Sequence, residues 1–413
     1  MTDVAAAVAQ AHRDSGVGIV ATLIRITGDW TLAEDCAQDA AAIALERWPH
    51  DGVPRNPGGW LATVARNRAI DRIRRAATER EKLRELAVIN DLTGWADEID
   101  AVDGRPGIED DRLRLIFTCC HPALSLEAQV ALTLRTVAGV STGDIARAFL
   151  VSESTMTRRL TRAKTKISTA GIPFKVPSGA LLPERVPGVL SVLYLLFTQG
   201  YRPDGRRSFA REAIRVTRLL VELMPDEPEA VALLALMLLQ DSRRDARRDD
   251  AGALVTLERQ DRSRWDRAAI TEGLGLVDSL TDDRPYAVQA QIAAGHARAA
   301  SAAQTDWPGI AERYDRLLEL TPSPVVALNR AVAHGFASGP TVGLRLLSEL
   351  DSRMADHPAT VAATAEFLAR SGRTREAVAA FTAAADLTPS ESERLVLRRR
   401  AEELTADSDD RGG

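Results

Sequence analysis

The chain has 413 residues, a formal net charge of −5 and a pI near 5.8. This length accommodates two or three domains. The acidic balance excludes a uniformly basic surface, so any surface that binds nucleic acid must be local. Helix formers dominate and β-branched runs are scarce, which predicts a nearly all-α protein.

The cysteine and apolar patterns also limit the class of protein. Cys36, Cys119 and Cys120 lack the spacing of a disulfide framework, and we expect buried thiols. The apolar runs at 189–197 and 230–239 are too short to span a bilayer, and the N-terminus lacks a signal-peptide pattern. We therefore expect a cytosolic protein that does not enter a membrane.

Residues 10–80 predict a first domain of three helices. Gly28-Asp29 ends the first helix, and Thr31 is the predicted cap of the second, which runs from Leu32 to Trp48. The first turns of the second helix carry four polar acceptors: Glu34, Asp35, Gln38 and Asp39. Acids there are stabilised by the helix dipole, so they either cap the helix or dock a basic partner.

The third helix, predicted over 60–75 after a Pro/Gly-rich loop at 49–59, has two unlike faces. Its core-facing residues recur every four positions: Leu61, Ala65, Ala69 and Ile73. The opposite face carries Val64, Asn67, Arg68, Asp71, Arg74 and Arg75. Asn and Arg side chains can read bases, and Arg can also hold phosphate. Trp60, at the helix start, either stacks on an unpaired base or packs in the core.

An acidic linker is predicted at 81–111. Eight acids oppose Arg105 alone between Asp91 and Asp111, and the glycines and proline at 94, 104, 106 and 107 disfavour a continuous helix. This segment serves solubility, mimics nucleic acid, or screens the basic faces on either side when DNA is absent.

Residues 112–172 predict a second domain that ends in a helix-turn-helix. Ser141 and Ser152 are the predicted caps of its two helices. In the second helix the predicted buried stripe is Met156, Leu160, Ala163 and Ile167. Another face of that helix gathers Thr155, Arg158, Arg159, Arg162 and Lys166. An amphipathic helix of this kind suits a major groove, although a solvated basic helix would have the same pattern.

Residues 180–405 predict stacked helices with internal repeats. Pro324 and Pro358 each begin an Ala-rich helix, and Gly339 and Gly372 follow at nearly the same interval. This period is typical of tetratricopeptide repeats. Such arrays present a concave surface to a protein or peptide, although a passive scaffold is the alternative. A set of charged and aromatic residues lines either a pocket or an interhelix corner: Tyr201, Asp261, Arg262, Arg264, Trp265, Asp266 and Trp307.

The order of these features resembles a bacterial sigma factor of the extracytoplasmic-function class, in the subgroup with a C-terminal tetratricopeptide-like extension. The sigma-type stretches are WLATVARNRAID at 60–71 and RLTRAK at 159–164. The subgroup stretches are ERWP at 46–49, FTCCHP at 117–122, AGIPF at 170–174, LLPER at 181–185, LMPDEPEA at 223–230 and DRSRWD at 261–266. One departure is Leu150, at a turn position where sigma factors often carry glycine.

The resemblance implies three binding surfaces. Glu34, Asp35, Gln38 and Asp39 would hold the clamp helices of the largest subunit of core RNA polymerase. Trp60, Asn67, Arg68, Asp71, Arg74 and Arg75 would read and melt the minus-ten region of promoter DNA. Thr155, Arg158, Arg159, Arg162 and Lys166 would read the minus-thirty-five element. None of this requires a cofactor, metal or catalytic residue.

Two other functions are a one-component transcription regulator and an enzyme. A one-component regulator would use the helix-turn-helix and an effector-binding repeat domain, but would leave the third helix and the acidic helix without a role. An enzyme is disfavoured because the six histidines are scattered and no nucleophile elbow or P-loop is present. The sequence therefore favours a sigma factor with a regulatory C-terminal domain, or one that binds a protein or peptide.

Overall fold

The computed structural model describes most of the chain and divides it into two compact units. The described residues are 4–77, 106–149, 151–177, 181–201, 207–249, 253–281 and 283–409. Unit 1 comprises Met1–Gly200 and Arg206–Leu223, and unit 2 comprises Tyr201–Gly205 and Met224–Gly413. Most of the predicted acidic linker, residues 81–105, and Leu150 lie outside the described residues.

The predicted all-α class is confirmed. Throughout the described ranges the regular elements are helices, and a single isolated bridge pairs Arg248 with Leu254.

Unit 1 begins with three helices that contact one another: α1 (Val4–Thr27), α2 (Trp30–Asp51) and α3 (Pro57–Ala77). Asp29 caps α2, because its carboxylate accepts the amides of Thr31 and Leu32 at 2.9 Å each. The prediction of Thr31 as the cap was wrong, since Asp29 already holds both free amides. The 49–59 loop is also shorter than predicted, because Gly52 and not Pro49 ends α2.

Four further helices follow: α4 (Pro106–Cys119), α5 (Leu126–Leu132), α6 (Thr142–Ala148) and α7 (Glu153–Thr169). Helix α5 continues into one π-helical turn at Thr133–Val137. Residues 106–111 of the predicted linker are helical, because a proline is tolerated in the first turn of a helix. Asp111 is buried there and pairs with Arg25 at 2.8 Å and Arg114 at 2.9 Å.

Unit 1 ends with α8 (Leu181–Tyr201) and α9 (Arg207–Leu223). Two arginines attach these helices to backbone carbonyls of the preceding helices. Arg185 donates to the Phe117 carbonyl at 2.8 Å, and Arg215 donates to the Val137 carbonyl at 3.0 Å. Gly200 permits close packing of α8 on α9, because a Cβ there would lie 2.3 Å from the Ala210 nitrogen. Among the described helices α8 alone is long and apolar enough to cross a membrane, a test that core helices of soluble proteins also pass.

Unit 2 is built of ten helices within the described residues. They are α10 (Pro228–Asp241), α11 (Arg267–Asp278), α12 (Pro285–Arg298), α13 (Trp307–Leu320), α14 (Pro324–Ser338), α15 (Pro340–Ser348), α16 (Ser352–Ala355), α17 (Pro358–Arg370), α18 (Thr374–Leu387) and α19 (Glu391–Asp409). The apolar run at 230–239 lies in α10 and is almost entirely buried, as its uniform pattern predicts.

The repeat pattern corresponds to helix pairs. Pro324 and Pro358 are the first residues of α14 and α17, and Gly339 and Gly372 follow those helices with φ of 100° and 74°. Successive helices contact one another from α12 to α15 and from α17 to α19. Gly335 is required where helices approach closely, because a Cβ there would lie 2.2 Å from the Phe367 ring.

The irregular segment 253–266, which we call the bridging segment, contacts helices that are distant in sequence. Arg262 donates to the carbonyls of His296 and Ala299. Glu258 accepts from Arg370 at 2.9 Å, and Arg259 donates to Glu403 at 2.7 Å. Arg262 and Trp265, two of the charged and aromatic residues that predict a pocket or an interhelix corner, thus form a corner, with Trp265 buried under the Arg262 guanidinium.

Candidate nucleic-acid interface

The outward face of α3 presents the polar residues that the sequence singles out. Five of them are exposed: Asn67, Arg68, Asp71, Arg74 and Arg75. They face solvent because Leu61, Ala65, Ala69 and Ile70 occupy the buried side of the helix. Ile70 was missed by the strict four-residue period, and Ile73 is only half-buried.

Trp60 takes an intermediate position at the start of α3. Asn56 caps this helix, because its side chain accepts the Gly59 amide at 2.9 Å. The Trp60 ring lies edge-on to the buried Trp48 ring, with centroids 5.5 Å apart. Trp60 itself is half-buried, so one part of the indole packs on Trp48 and another part faces solvent.

The second basic face lies on α7. Ser141 and Ser152 cap α6 and α7 as predicted, accepting the amides of Asp144 and Thr155. The predicted stripe, Met156, Leu160, Ala163 and Ile167, is buried. Arg158, Arg162 and Lys166 are exposed, and Thr155 and Arg159 are half-buried.

Two cations of this face also contact α5 or the residues just before it. Arg159 donates to Glu127 at 3.2 Å, and Lys166 donates to the Ala123 carbonyl at 2.5 Å. With Arg162 these residues line a shallow pocket of about 300 Å³. A solvent-exposed ion pair such as Arg159–Glu127 contributes little to stability, so Arg159 can exchange Glu127 for another acceptor at small cost.

The acidic face of α2 differs from both basic faces because its carboxylates are already paired. Arg72 of α3 contacts Asp35 at 3.0 Å and Asp39 at 2.8 Å. Glu34 contacts Lys164 of α7 at 3.0 Å, and Gln38 is exposed. Sequence reasoning missed Arg72 and Lys164 as partners, because helical spacing does not show which residues of separate helices meet.

The cysteines are buried free thiols, as expected. Burial raises the pKa of the Cys36 thiol to about 11 and that of Cys120 to about 12, so both stay protonated near neutral pH. Across the described residues no cluster of three or more His, Cys, Asp or Glu side chains has the arrangement of a metal site.

Three known protein families match consecutive parts of the chain. Sigma-70 region 2 matches residues 14–79, and sigma-70 region 4 matches residues 114–167. A family of unknown function, DUF6596, matches residues 185–280. The two sigma matches include α3 and α7, the helices that carry the two basic faces.

Individual relatives cover different shares of the chain. The uncharacterized protein R00370 of Rhizobium meliloti is 43% identical over 394 residues, which cover 93% of each chain. The probable ECF RNA polymerase sigma factor SigI of Mycobacterium tuberculosis is 29% identical over 167 residues, which cover 40% of this chain and 55% of SigI. The crystal structure of the P58(IPK) TPR domain aligns over 96% of this chain and 99% of that domain, at 13% identity and a TM-score of 0.25.

The two sigma-70 regions, the SigI match and the helical C-terminal half together agree with the resemblance found in the sequence. The 43% identity over nearly the full length places this chain and R00370 in one family. The protein belongs to one family with R00370, and it carries sigma-70 regions 2 and 4 ahead of a helical C-terminal unit.

Proposed function

We propose that this protein is a promoter-specificity subunit of bacterial RNA polymerase that acts in the cytoplasm and has no enzymatic activity of its own. The observation that carries this proposal is the presence of two exposed basic helix faces, on α3 and α7, one in each of the two domains that match sigma-70 regions. A family match alone would not require both faces to be open to solvent.

The two faces suit different states of DNA. The α7 face is the exposed side of a capped recognition helix, which fits the major groove of the duplex minus-thirty-five element. The α3 face combines Asn67, Arg68, Asp71, Arg74 and Arg75 with the half-buried ring of Trp60. Amides and guanidinium groups beside an aromatic ring suit unpaired bases of the non-template strand at the minus-ten region.

Core polymerase is the proposed partner of α2. Glu34, Asp35, Gln38 and Asp39 lie on successive turns of one helix and suit a basic surface such as that of the clamp helices. Asp35 and Asp39 remain 49% and 38% exposed despite their contact with Arg72. Such pairs are weak enough to be exchanged for cations of a partner.

We further propose that unit 2 regulates the sigma unit or binds a protein or peptide. Support comes from the half-buried ring of Trp307, which stacks on Phe336 at 4.4 Å and leaves aromatic surface on the repeat helices. Unit 2 lies outside both sigma-70 matches, so a regulatory or partner-binding role would be separate from promoter recognition.

Run-off transcription with core polymerase tests the proposal. The full chain should produce a specific transcript, and a truncation after Leu223, which retains unit 1, should change its yield. Absence of a specific transcript from both proteins would refute the sigma-factor assignment. Tight duplex binding without polymerase would instead support a one-component regulator.

A further inference from the structure

We call α1–α3 the region 2 domain and α4–α7, with the residues up to Phe174, the region 4 domain, after the sigma-70 regions that they match. Glu34 differs from the other acids of α2 because it is covered by the region 4 domain. Its carboxylate contacts Lys164 of α7 at 3.0 Å and the Arg135 guanidinium at 3.6 Å. Thr136 donates a further hydrogen bond to it at 3.1 Å. The side chains of Glu34 and Lys164 are only 11% and 17% exposed, against 49% for Asp35. Side chains of the region 4 domain therefore occupy both carboxylate oxygens of Glu34, one of the four residues of the acidic face.

A second contact closes the same interface. Trp30, the first residue of α2, is buried and lies edge-on to Phe174, which follows α7, at a centroid distance of 6.4 Å. Glu34 is one helical turn further along α2, so an aromatic contact and an ion pair are adjacent on one helix. Trp30 and Phe174 bury apolar surface, which holds the two domains together without any charge.

The C-terminal half reinforces this arrangement through α8 and α9. Arg185 binds the Phe117 carbonyl at the end of α4, and Arg215 binds the Val137 carbonyl at the end of the π-helical turn. Arg135 and Thr136, which bind Glu34, immediately precede Val137. The Arg215 contact therefore fixes the turn that presents two of the three Glu34 partners.

We propose that the region 4 domain is a latch on α2, and that core polymerase must displace Lys164 from Glu34 in order to dock. This inference rests on the proposed docking of polymerase on α2. The two events compete because Glu34 cannot accept a cation of the polymerase while its carboxylate is held in a nearly closed interface. When the latch opens, Glu34 and Lys164 both regain water, so neither charge is left buried alone.

The latch also constrains the distance between the two proposed DNA-binding faces, on α3 and α7. With the latch closed, the region 4 domain is held against the region 2 domain at a fixed distance. Two faces that read separate promoter elements must be free to adopt the spacing of those elements. Polymerase docking on α2 would therefore release region 4 for promoter binding in the same step.

The test uses full-length protein with Lys164→Ala and Lys164→Glu, since Lys164 belongs to neither proposed DNA face. If only the open form docks, the apparent dissociation constant equals the intrinsic one divided by the open fraction. We expect Lys164→Ala to bind core polymerase about tenfold more tightly than the wild-type chain does, within the usual range for coupled equilibria. Lys164→Glu should bind at least as tightly, because a carboxylate beside Glu34 disfavours the closed form. Lys175→Ala, an exposed lysine that follows α7, is the matched control and should bind as the wild-type chain does.

A second measurement monitors the latch without polymerase. Leu45 on α2 and Thr161 on α7 are exposed, and the three native thiols are buried. Spin labels on Leu45→Cys and Thr161→Cys should give a narrow distance distribution in the wild-type background and a longer, broader one with Lys164→Glu. Melting temperatures of the variants establish that each domain remains folded.

The outcomes distinguish the latch from the docking itself. Core polymerase binding that is equal in wild type and both Lys164 variants would overturn the latch and leave the proposed function intact. Failure of every variant to bind core polymerase would refute the proposed function, and the competition with it. An unchanged spin-label distance in Lys164→Glu would overturn the latch even if affinity rises.

Discussion

The charges of the two units are used differently. In unit 1, α3 and α7 keep several basic side chains on exposed faces, although like charges that are close together repel. In unit 2, basic side chains of the bridging segment and of α17 bind acids and carbonyls from distant parts of the same unit. Unit 1 also uses charge to fix its fold, as Asp111 with Arg25 and Arg114 shows, but its α3 and α7 faces leave further cations exposed and open to the proposed ligand. Substitutions on the α3 and α7 faces should therefore affect binding, and substitutions in the bridging segment should affect stability.

The largest effect is expected on the α7 face. Arg159→Ala and Arg162→Ala should each weaken promoter binding by about 1–3 kcal/mol if they contact base edges. Melting temperature should stay the same, because Arg162 is exposed and Arg159 has only a surface ion pair with Glu127. Titration of labelled promoter DNA with holoenzyme measures the affinity, and Arg345→Ala in unit 2 is the control. Unchanged promoter affinity in both variants would remove α7 from the interface.

The next largest effect concerns packing in unit 2. Gly335→Ala should destabilise unit 2 by about 1–3 kcal/mol, because the added methyl overlaps the buried Phe367 ring. Gly275→Ala on α11 is the matched control, since a Cβ there meets no atom within 4 Å. That control should stabilise its helix by roughly 0.5–1 kcal/mol. Denaturant unfolding, monitored by hydrogen exchange of unit 2 amides, measures the free energy of unfolding of both variants. Equal values for the wild-type chain and Gly335→Ala would contradict the close packing of α14 on Phe367.

A third prediction concerns pH. Burial lowers the pKa of His296 to about 4, and nearby Arg243 and Arg262 act in the same direction. His296 therefore binds a proton more readily in the unfolded chain than in the folded chain. Folding with a neutral His296 is fully favourable above pH 6.5, and the free energy of unfolding decreases as pH falls toward 4. The unfolding constant should rise roughly tenfold between pH 8 and pH 5.5 from this group alone. His296→Gln should abolish that part of the dependence, and an unchanged slope would show that His296 is not the group responsible.

The smallest effect is expected at the bridging segment. A hydrogen bond from Arg259 lowers the pKa of Glu403 to about 2. The stability from this pair is present above the unfolded pKa of 4.5 and is lost as pH falls through 2. Because the pair is largely exposed, Arg259→Gln should cost only about 0.2–1 kcal/mol. Acid unfolding of unit 2 tests this, with Arg398→Gln as the control, and promoter binding should not change in either variant.

The helices and their faces could be predicted from the order of residues alone. Spacing at 3.6 residues per turn identified the buried stripe of α7 and the exposed face of α3, because amphipathicity is a local property of the chain. Serine caps and the proline and glycine intervals located α6, α7 and the starts and ends of the repeat helices α14 and α17 for the same reason. Local sequence does not distinguish neighbouring cap candidates, as Asp29 in place of Thr31 illustrates.

Which charges meet could not be predicted before the packing of the helices was known. Glu34 with Lys164, Arg25 with Asp111, and Arg259 with Glu403 are each separated by many residues, and no periodicity connects their positions. The sequence left capping and docking open for the acidic face of α2, while the fold pairs three of its four residues with cations of other helices. The physical reason is that an ion pair depends on the distance between two side chains, which the packing of whole helices sets.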